Sequence, residues 1–212
     1  MHKDLNHYYS KKEESLNIIT HAFGLLMSIV AFPFLIIKSF DYSILWQQVS
    51  FIIYGVSLLV LYAASTFYHA AKEPKLRRKL NVFDHAAIYA LIAGSYSPFC
   101  LVALNSQLGW YMFIFVWVFA LVGVVLKLFF TGKYDKISTA MYLLMGWQIV
   151  FFIKPLVKSL TTEGLFWLIA GGVFYSVGAL FYAVKKISYN HAIFHVFVLI
   201  GSLSHFIAIY NI

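Results

Sequence analysis

The sequence is short of charged residues and of cysteine, and each shortage excludes a class of protein or site. Only 11% of its 212 residues are charged, whereas 62% are hydrophobic and 19% are aromatic. Because soluble domains contain about 25% charged residues, this composition excludes a soluble domain and indicates a polytopic membrane protein. The single cysteine, Cys100, excludes an internal disulfide and any metal site built from several thiolates.

Seven segments are apolar and long enough to cross a bilayer as helices, which takes about 20 residues each. We therefore predict an all-α protein, with a tail over residues 1–16 and one seven-helix transmembrane domain over residues 17–212. The tail lacks the apolar core and cleavage site of a signal peptide, so we expect no processing. The predicted spans are Asn17–Ile37, Trp46–His69, Val82–Leu104, Trp110–Phe130, Ile137–Val157, Gly164–Val184 and His191–Ile212.

The distribution of basic residues predicts the orientation of the bundle. Of the 16 Lys and Arg residues, three (Lys38, Lys154 and Lys158) fall on one side of the predicted bundle, and the other 13 fall on the side of the tail. Short loops rich in Lys and Arg face the cytoplasm, so we predict a cytoplasmic N-terminus and an external C-terminus. This topology, with some attraction to anionic lipid headgroups, accounts for the net charge of +8. The charge is not evidence for a nucleic-acid partner.

Two pairs of polar residues are spaced four apart in the predicted helices: His191 with His195, and Ser65 with His69. Residues at this spacing project from one helix face. A polar group left without a partner in hydrocarbon costs several kcal/mol, and a metal ion would satisfy both imidazoles of the first pair at once. Each pair alone is a weak signal, because hydrogen-bonded packing histidines would look the same.

Asp84 is the one acidic residue inside the predicted spans. A carboxylate in a membrane is costly and marks a functional site when a cationic or metal partner is available. The predicted topology brings Ser65, His69, Asp84, His191 and His195 to one cytoplasmic depth. Three imidazoles and a water form the open tetrahedral site typical of catalytic zinc, and Asp84 would hold that water or accept its proton.

Other polar residues receive simpler interpretations. His21 lies at the same depth, with either a packing role or a role in supporting a ligand, whereas His205 lies roughly 15 Å further out and is expected to be hydrogen-bonded in the packing. Glu14 suits a helix N-terminus through the helix dipole. Lys127 lies near a span end and is expected to extend to the interface. The basic stretch Ala70–Leu80 is predicted to be a solvated loop near the headgroups.

As a set and in this order, these motifs resemble the hemolysin III family, the bacterial branch of the progestin and adipoQ receptors, and more distantly the alkaline ceramidases. The resemblance extends over nearly the whole chain. It implies zinc bound by His69, His191 and His195, with Ser65 and Asp84 positioned around a metal-bound water. The matching segments are Glu14–Gly24, Ser65–His69, Asp84–Phe99 and His191–His195.

We therefore expect a zinc-dependent hydrolase of the cell membrane that cleaves an amide or ester bond of a ceramide-like or other acyl lipid. Asp84 would be the general base, and Ser65 would orient water or substrate. Three alternatives remain open: a lipid-sensing receptor without turnover, a proton-coupled transporter that uses Asp84 and the histidines, and a cytolysin. The expected partners are a membrane lipid or fatty acid and the bilayer, and the sequence leaves the substrate and the oligomeric state open.

Overall fold

The computed structural model describes residues 9–212, apart from the side chain of residue 135, and the regular secondary structure of this part is entirely helical. Seven of its helical segments are long and apolar enough to span a membrane, which confirms the predicted seven-helix membrane protein. Helices α5 and α6, joined by a short 3₁₀ segment, together form the fifth span. The helices are α1 Lys11–Ser39, α2 Leu45–Ala70, α3 Pro74–Pro98, α4 Gln107–Phe130, α5 Asp135–Trp147, α6 Ile153–Ser159, α7 Thr162–Ala183 and α8 Asn190–Tyr210.

Helix α1 begins six residues before the predicted first span. The Ser10 side chain accepts a hydrogen bond from the backbone N–H of Glu13 at 3.2 Å, which satisfies one of the free N–H groups of the first turn. Part of the predicted tail is therefore helical, and Glu14 lies in the first turn of a membrane helix. Residues 1–8 of the predicted tail lie outside the described part of the chain.

Helix α3 also begins early, so the prediction of a loop over Ala70–Leu80 is wrong from Pro74 onward. The basic residues of this stretch are exposed, as predicted, except Arg77. Pro74 occupies the first turn, where its fixed φ suits a helix start, and the Glu73 carboxylate accepts hydrogen bonds from two backbone N–H groups of that turn. Arg77 consequently lies on a helix, where it is 4% exposed. The helix-starting residues Glu73 and Pro74 therefore determine the structure of this segment, although its basic charge had suggested a loop.

Helix α3 lies at the centre of the bundle, in contact with α2, α4, α5 and α8. Small residues permit this close packing: Gly94 lies so near Ser57 of α2 that no Cβ would fit there. Beyond Pro98, which lacks an N–H group, the chain continues as a π-helical turn over Phe99–Ala103.

The start of α1, the end of α2 and the starts of α3 and α8 meet at one end of the bundle, because α1 packs against α2 and α8, and α8 also contacts α3. The polar residues discussed below lie at this end.

Candidate metal centre

Three histidines form a compact group at this end of the bundle. His69 comes from the end of α2, and His191 and His195 come from the first two turns of α8. One ring nitrogen of each lies within 4.8 Å of the other two, and all three residues are buried. The Nε2 atoms of His69 and His191 are 3.2 Å apart. The structure thus brings together the three residues predicted to bind a metal.

The spacing of these nitrogens fits a shared metal ion. Two nitrogens bound to one tetrahedral zinc at about 2.0–2.1 Å lie about 3.3 Å apart, close to the separation of the two Nε2 atoms. A hydrogen bond between His69 and His191 would explain why these two rings lie close together, but it would not explain why His195 joins them. A metal ion satisfies all three nitrogens at once, so the donor set could hold one.

Glu14 of α1 determines which nitrogen His69 turns toward the group. Its Oε2 atom lies 3.0 Å from Nδ1 of His69. Because an ionised carboxylate can only accept hydrogen bonds, Nδ1 carries the proton and the lone pair of Nε2 faces the other histidines. Carboxylates beside metal-binding histidines orient the ring and raise its basicity in this way.

Arg77 holds Glu14 in place. Its guanidinium forms an ion pair with Glu14 and donates hydrogen bonds of 3.3–3.4 Å to the carbonyls of Tyr68, His69 and Ala71, at the end of α2. The last carbonyls of a helix lack the usual helical partners, and of these three only that of Tyr68 also accepts from a backbone N–H, that of Ala71 at 3.4 Å. Arg77 therefore caps the C-terminal end of α2 and also balances the negative charge of Glu14.

Thr20 plays a similar part for His195. The Thr20 hydroxyl lies 2.8 Å from the carbonyl of Leu16, to which it donates, and 3.2 Å from Nδ1 of His195. With its proton given to the backbone, the hydroxyl oxygen accepts from Nδ1–H of His195. The lone pair of His195 Nε2 is then available to a metal.

His21 stacks on His195, with ring centroids 3.5 Å apart and an interplanar angle of 19°. Both of its ring nitrogens are buried and lack a hydrogen-bond partner within the described part of the chain. His21 thus supports the ring of a predicted ligand by direct contact and stands outside the three-histidine group.

Tyr9 covers the group from the end of the bundle. Its ring stacks on His191, with centroids 4.8 Å apart and an interplanar angle of 21°. Burial raises the pKa of the Tyr9 hydroxyl, so this group stays protonated. Tyr9 therefore shields the histidines from this side.

A cavity of about 180 Å³ lies beside the histidines and is lined by Ser65, Asp84, His191 and His195. One water needs only about 10–15 Å³ on this measure, so the cavity can accept part of a larger molecule. The Ser65 hydroxyl is buried without a hydrogen-bond partner in the described part of the chain. The rest of the wall is mainly apolar and includes Leu91, Ile92, Phe99, Leu168 and Val198.

Asp84 is buried and belongs to the cavity wall rather than to the three-histidine group. Its Oδ2 atom is 3.9 Å from Nδ1 of His85, too long for a hydrogen bond, and that nitrogen lies 2.8 Å from the carbonyl of Asn81. The carboxylate is therefore placed to face a molecule in the cavity.

Lys127 and His205 were not predicted to belong to the metal site. The prediction that Lys127 extends to the interface is wrong: its side chain is buried and lines the cavity, because α4 packs this face against α3. His205 lies outside the three-histidine group, as predicted, and packs against Gly171 and the Tyr175 ring. The expected hydrogen bond is not found, because neither ring nitrogen has a hydrogen-bond partner within the described part of the chain.

Sequence reasoning missed the roles of Tyr9, Glu14, Arg77 and Lys127. A signal for Glu14 was present, because Glu14, Asn17 and His21 are spaced three and four apart and share one face of α1. The structure adds that the Asn17 side chain donates to Glu14 at 3.4 Å. For Arg77, the preceding start signal at Glu73 and Pro74 indicated a helix rather than a loop.

Comparison with known proteins agrees with these motifs. The family model described as "Haemolysin-III related" matches residues 9–206. The chain is 46% identical over 201 residues to the hemolysin-3 homolog of Bacillus subtilis (strain 168), covering 95% of this chain and 94% of that protein. It is 44% identical over 198 residues to hemolysin-3 of Bacillus cereus, covering 93% and 90%.

A more distant match is the monocyte to macrophage differentiation factor of Homo sapiens, which is 31% identical over 205 residues, covering 94% of this chain and 84% of that protein. The matches extend over nearly all of this chain, including the segments that carry the three histidines, Ser65 and Asp84. The chain therefore belongs to the haemolysin-III related family of multi-pass membrane proteins.

Proposed function

We propose that this protein is a zinc-dependent hydrolase that cleaves an amide or ester bond of a membrane acyl lipid, ceramide-like or otherwise. The observation that carries the proposal is the meeting of a buried three-histidine group with a mainly apolar cavity whose wall also holds Ser65 and Asp84. An apolar cavity suits an acyl chain, and the polar residues lie where its head group would be.

The donor set supports zinc as the metal. Three neutral imidazoles without a thiolate suit zinc, and three protein ligands leave a fourth position open, as in catalytic sites. When bound, zinc would act as a Lewis acid that polarises the acyl carbonyl and makes water a stronger acid.

Asp84 is proposed as the general base. As a water oxygen attacks the acyl carbon, the Asp84 carboxylate accepts a proton from that water. It then returns the proton to the nitrogen or oxygen that leaves when the acyl C–N or C–O bond breaks. The products are a fatty acid and an amine or an alcohol, so the step consumes one water and needs no other reactant.

Ser65 is proposed to orient the reacting groups. Its hydroxyl is one helical turn from His69 and has no hydrogen-bond partner in the described part of the chain. It can donate to the acyl carbonyl oxygen or accept from the water. Either contact would favour the attacking geometry.

The test is a metal analysis of the purified protein together with a lipid hydrolysis assay. We expect about one zinc per chain. We also expect zinc-dependent release of fatty acid from at least one lipid of a panel of N-acyl and ester lipids, with the released fatty acid measured by mass spectrometry. A zinc-loaded protein that binds lipids but cleaves none of the panel would contradict the hydrolase and favour a lipid-sensing receptor.

A further inference from the structure

The cavity extends along α8 from the three clustered histidines to a further imidazole, that of His205. On this helix His195, Val198, Ser202 and His205 are spaced three and four apart, so they share one face. Of these residues, His195, Val198 and His205 line the cavity. His205 is ten residues beyond His195 in one continuous helix, which corresponds to about 15 Å along the helix axis. The cavity therefore has polar groups at two places, with apolar wall between them.

Tyr175 of α7 adjoins His205 in the cavity wall. The two rings meet edge to face, with centroids 5.2 Å apart. Each ring also lies against a glycine of the opposite helix, His205 against Gly171 and Tyr175 against Gly201, at distances that leave no room for a Cβ. The packing of α7 on α8 therefore fixes the positions of both rings.

The imidazole of His205 has hydrogen-bonding capacity that the protein does not use. Both ring nitrogens are buried, and neither makes a hydrogen bond within the part of the chain that the structure describes. The backbone of Leu168 lies near the ring, but a neutral imidazole has one N–H group, and its other nitrogen is an acceptor. No donor among the described residues reaches that acceptor, which is costly in apolar surroundings.

Tyr175 supplies a hydrogen-bond donor at the same place. Its hydroxyl lies 2.9 Å from the Ser202 Oγ atom, to which the Tyr62 hydroxyl also donates at 2.8 Å. These three hydroxyl groups have three protons, whereas the two bonds between them use only two. Because Ser202 is buried, its proton is best satisfied in the bond to Tyr175, which leaves the Tyr175 O–H to donate into the cavity.

We propose that His205 and Tyr175 bind a hydroxyl group carried on the acyl chain of the ligand, so that the cavity prefers hydroxylated acyl lipids. A hydroxyl both donates and accepts, so it matches the acceptor nitrogen of His205 and the O–H of Tyr175, whereas a carbonyl or ether oxygen only accepts. With C–C bonds of about 1.5 Å, an extended chain advances about 1.3 Å per carbon. The interval between His195 and His205 thus corresponds to about 12 carbons.

The inference rests on the proposed function for the identity of the occupant, an acyl lipid whose head lies at the three histidines. It adds the chemical class of the acyl chain and the place of its hydroxyl group. The hydrolytic step itself uses neither His205 nor Tyr175.

The experiment compares three ligands of equal chain length: dodecanoic acid, 6-hydroxydodecanoic acid and 11-hydroxydodecanoic acid. Each competes with a fluorescent acyl probe for the purified full-length, zinc-loaded protein. Both hydroxy acids carry a secondary hydroxyl and lose the same hydration, so the ratio of their affinities reports where the hydroxyl lies. We expect the parent to bind the 11-hydroxy isomer about 10-fold more tightly, because the hydroxyl of the 6-hydroxy isomer falls beside apolar wall.

Two variants remove the proposed contacts. His205→Leu removes the acceptor and Tyr175→Phe removes the donor, and each should lower the affinity ratio about 2- to 10-fold, the effect of losing one neutral hydrogen bond. Binding of dodecanoic acid shows that a variant is folded. Tyr175→Phe keeps the ring that packs against Gly201, so it tests the inference even where His205→Leu fails to fold.

Tyr182→Phe is the matched control. Tyr182 is seven residues beyond Tyr175 on α7 and also lines the cavity, but its ring lies 5.7 Å from that of His191. Loss of its hydroxyl changes the cavity near the clustered histidines and should leave the ratio of the two isomers as in the parent.

The inference is overturned if the parent binds the two isomers equally, the result expected if water alone occupies this place. It is also overturned if His205→Leu or Tyr175→Phe binds dodecanoic acid and retains the parent ratio. A protein that selects the 11-hydroxy isomer but hydrolyses no acyl lipid would contradict the proposed function and support the inference. Hydrolysis of acyl lipids with equal binding of the two isomers would do the reverse.

Discussion

The Nδ1 atom of His69 lies 3.0 Å from the Oε2 atom of Glu14, although 55 residues separate them in the chain. This contact joins α1 to α2 and orients one of the three clustered imidazoles. Arg77 extends it, because its guanidinium pairs with Glu14 and caps the same helix that carries His69. His69 of α2 is thus held by contacts that come from α1 and α3.

Glu14→Gln is expected to weaken zinc binding about 10- to 100-fold, the usual effect of losing an outer partner of a metal ligand. The amide keeps an oxygen that can accept from His69 Nδ1 but loses the charge that raises the basicity of the ring. Competition with a fluorescent zinc chelator measures the affinity. Glu13→Gln removes the same charge one residue earlier and should leave the affinity unchanged; equal affinities of both variants and the parent would show that Glu14 does not support the ligand.

His191→Ala is expected to abolish zinc binding, because two imidazoles leave too few strong bonds to hold the ion against water. Zinc per chain can be measured by mass spectrometry of the purified protein. His205→Gln is the matched control, since this buried histidine of the same helix lies outside the group. A normal zinc content in His191→Ala would eliminate the proposed site.

Asp84→Asn is expected to keep zinc and to lower lipid hydrolysis about 100- to 10,000-fold, the range of general acid–base catalysis. The amide preserves the shape of the side chain but cannot accept the proton. Asp41→Asn changes an exposed carboxylate that pairs with Lys38 at the other end of α1 and should hydrolyse like the parent. If Asp84→Asn lost zinc instead, or hydrolysed at the parent rate, Asp84 would not be the base.

The predicted orientation, with a cytoplasmic N-terminus, can be tested by the reactivity of introduced cysteines in a protein whose Cys100 is replaced by Ala. A cysteine at Lys72 should react with a membrane-impermeant maleimide only after the cells are opened, whereas one at Asn211 should react in intact cells. The reason is the excess of Lys and Arg on the side of the N-terminus. The reverse pattern would place the three histidines near the external face.

Local sequence information was sufficient for the class of the protein and for the pairs of polar residues. Runs of about 20 apolar residues require a membrane-spanning helix, since backbone groups must be satisfied internally in lipid. The spacings of His191 with His195 and of Ser65 with His69 place each pair on one helix face, whatever the neighbouring helices are. Combined with the alternating direction of the spans, they predicted the group that the structure contains.

What only the tertiary structure decided is which residues approach one another from different helices. The basic character of Arg77 and Lys127 suggested solvent or headgroups, yet the first pairs with Glu14 and the second lines the cavity. Glu14 looked like a helix-terminus residue, because nothing near it in the sequence shows that α1 packs beside the end of α2. These contacts depend on how helices far apart in sequence pack, whereas segment length and residue spacing depend only on the local chain.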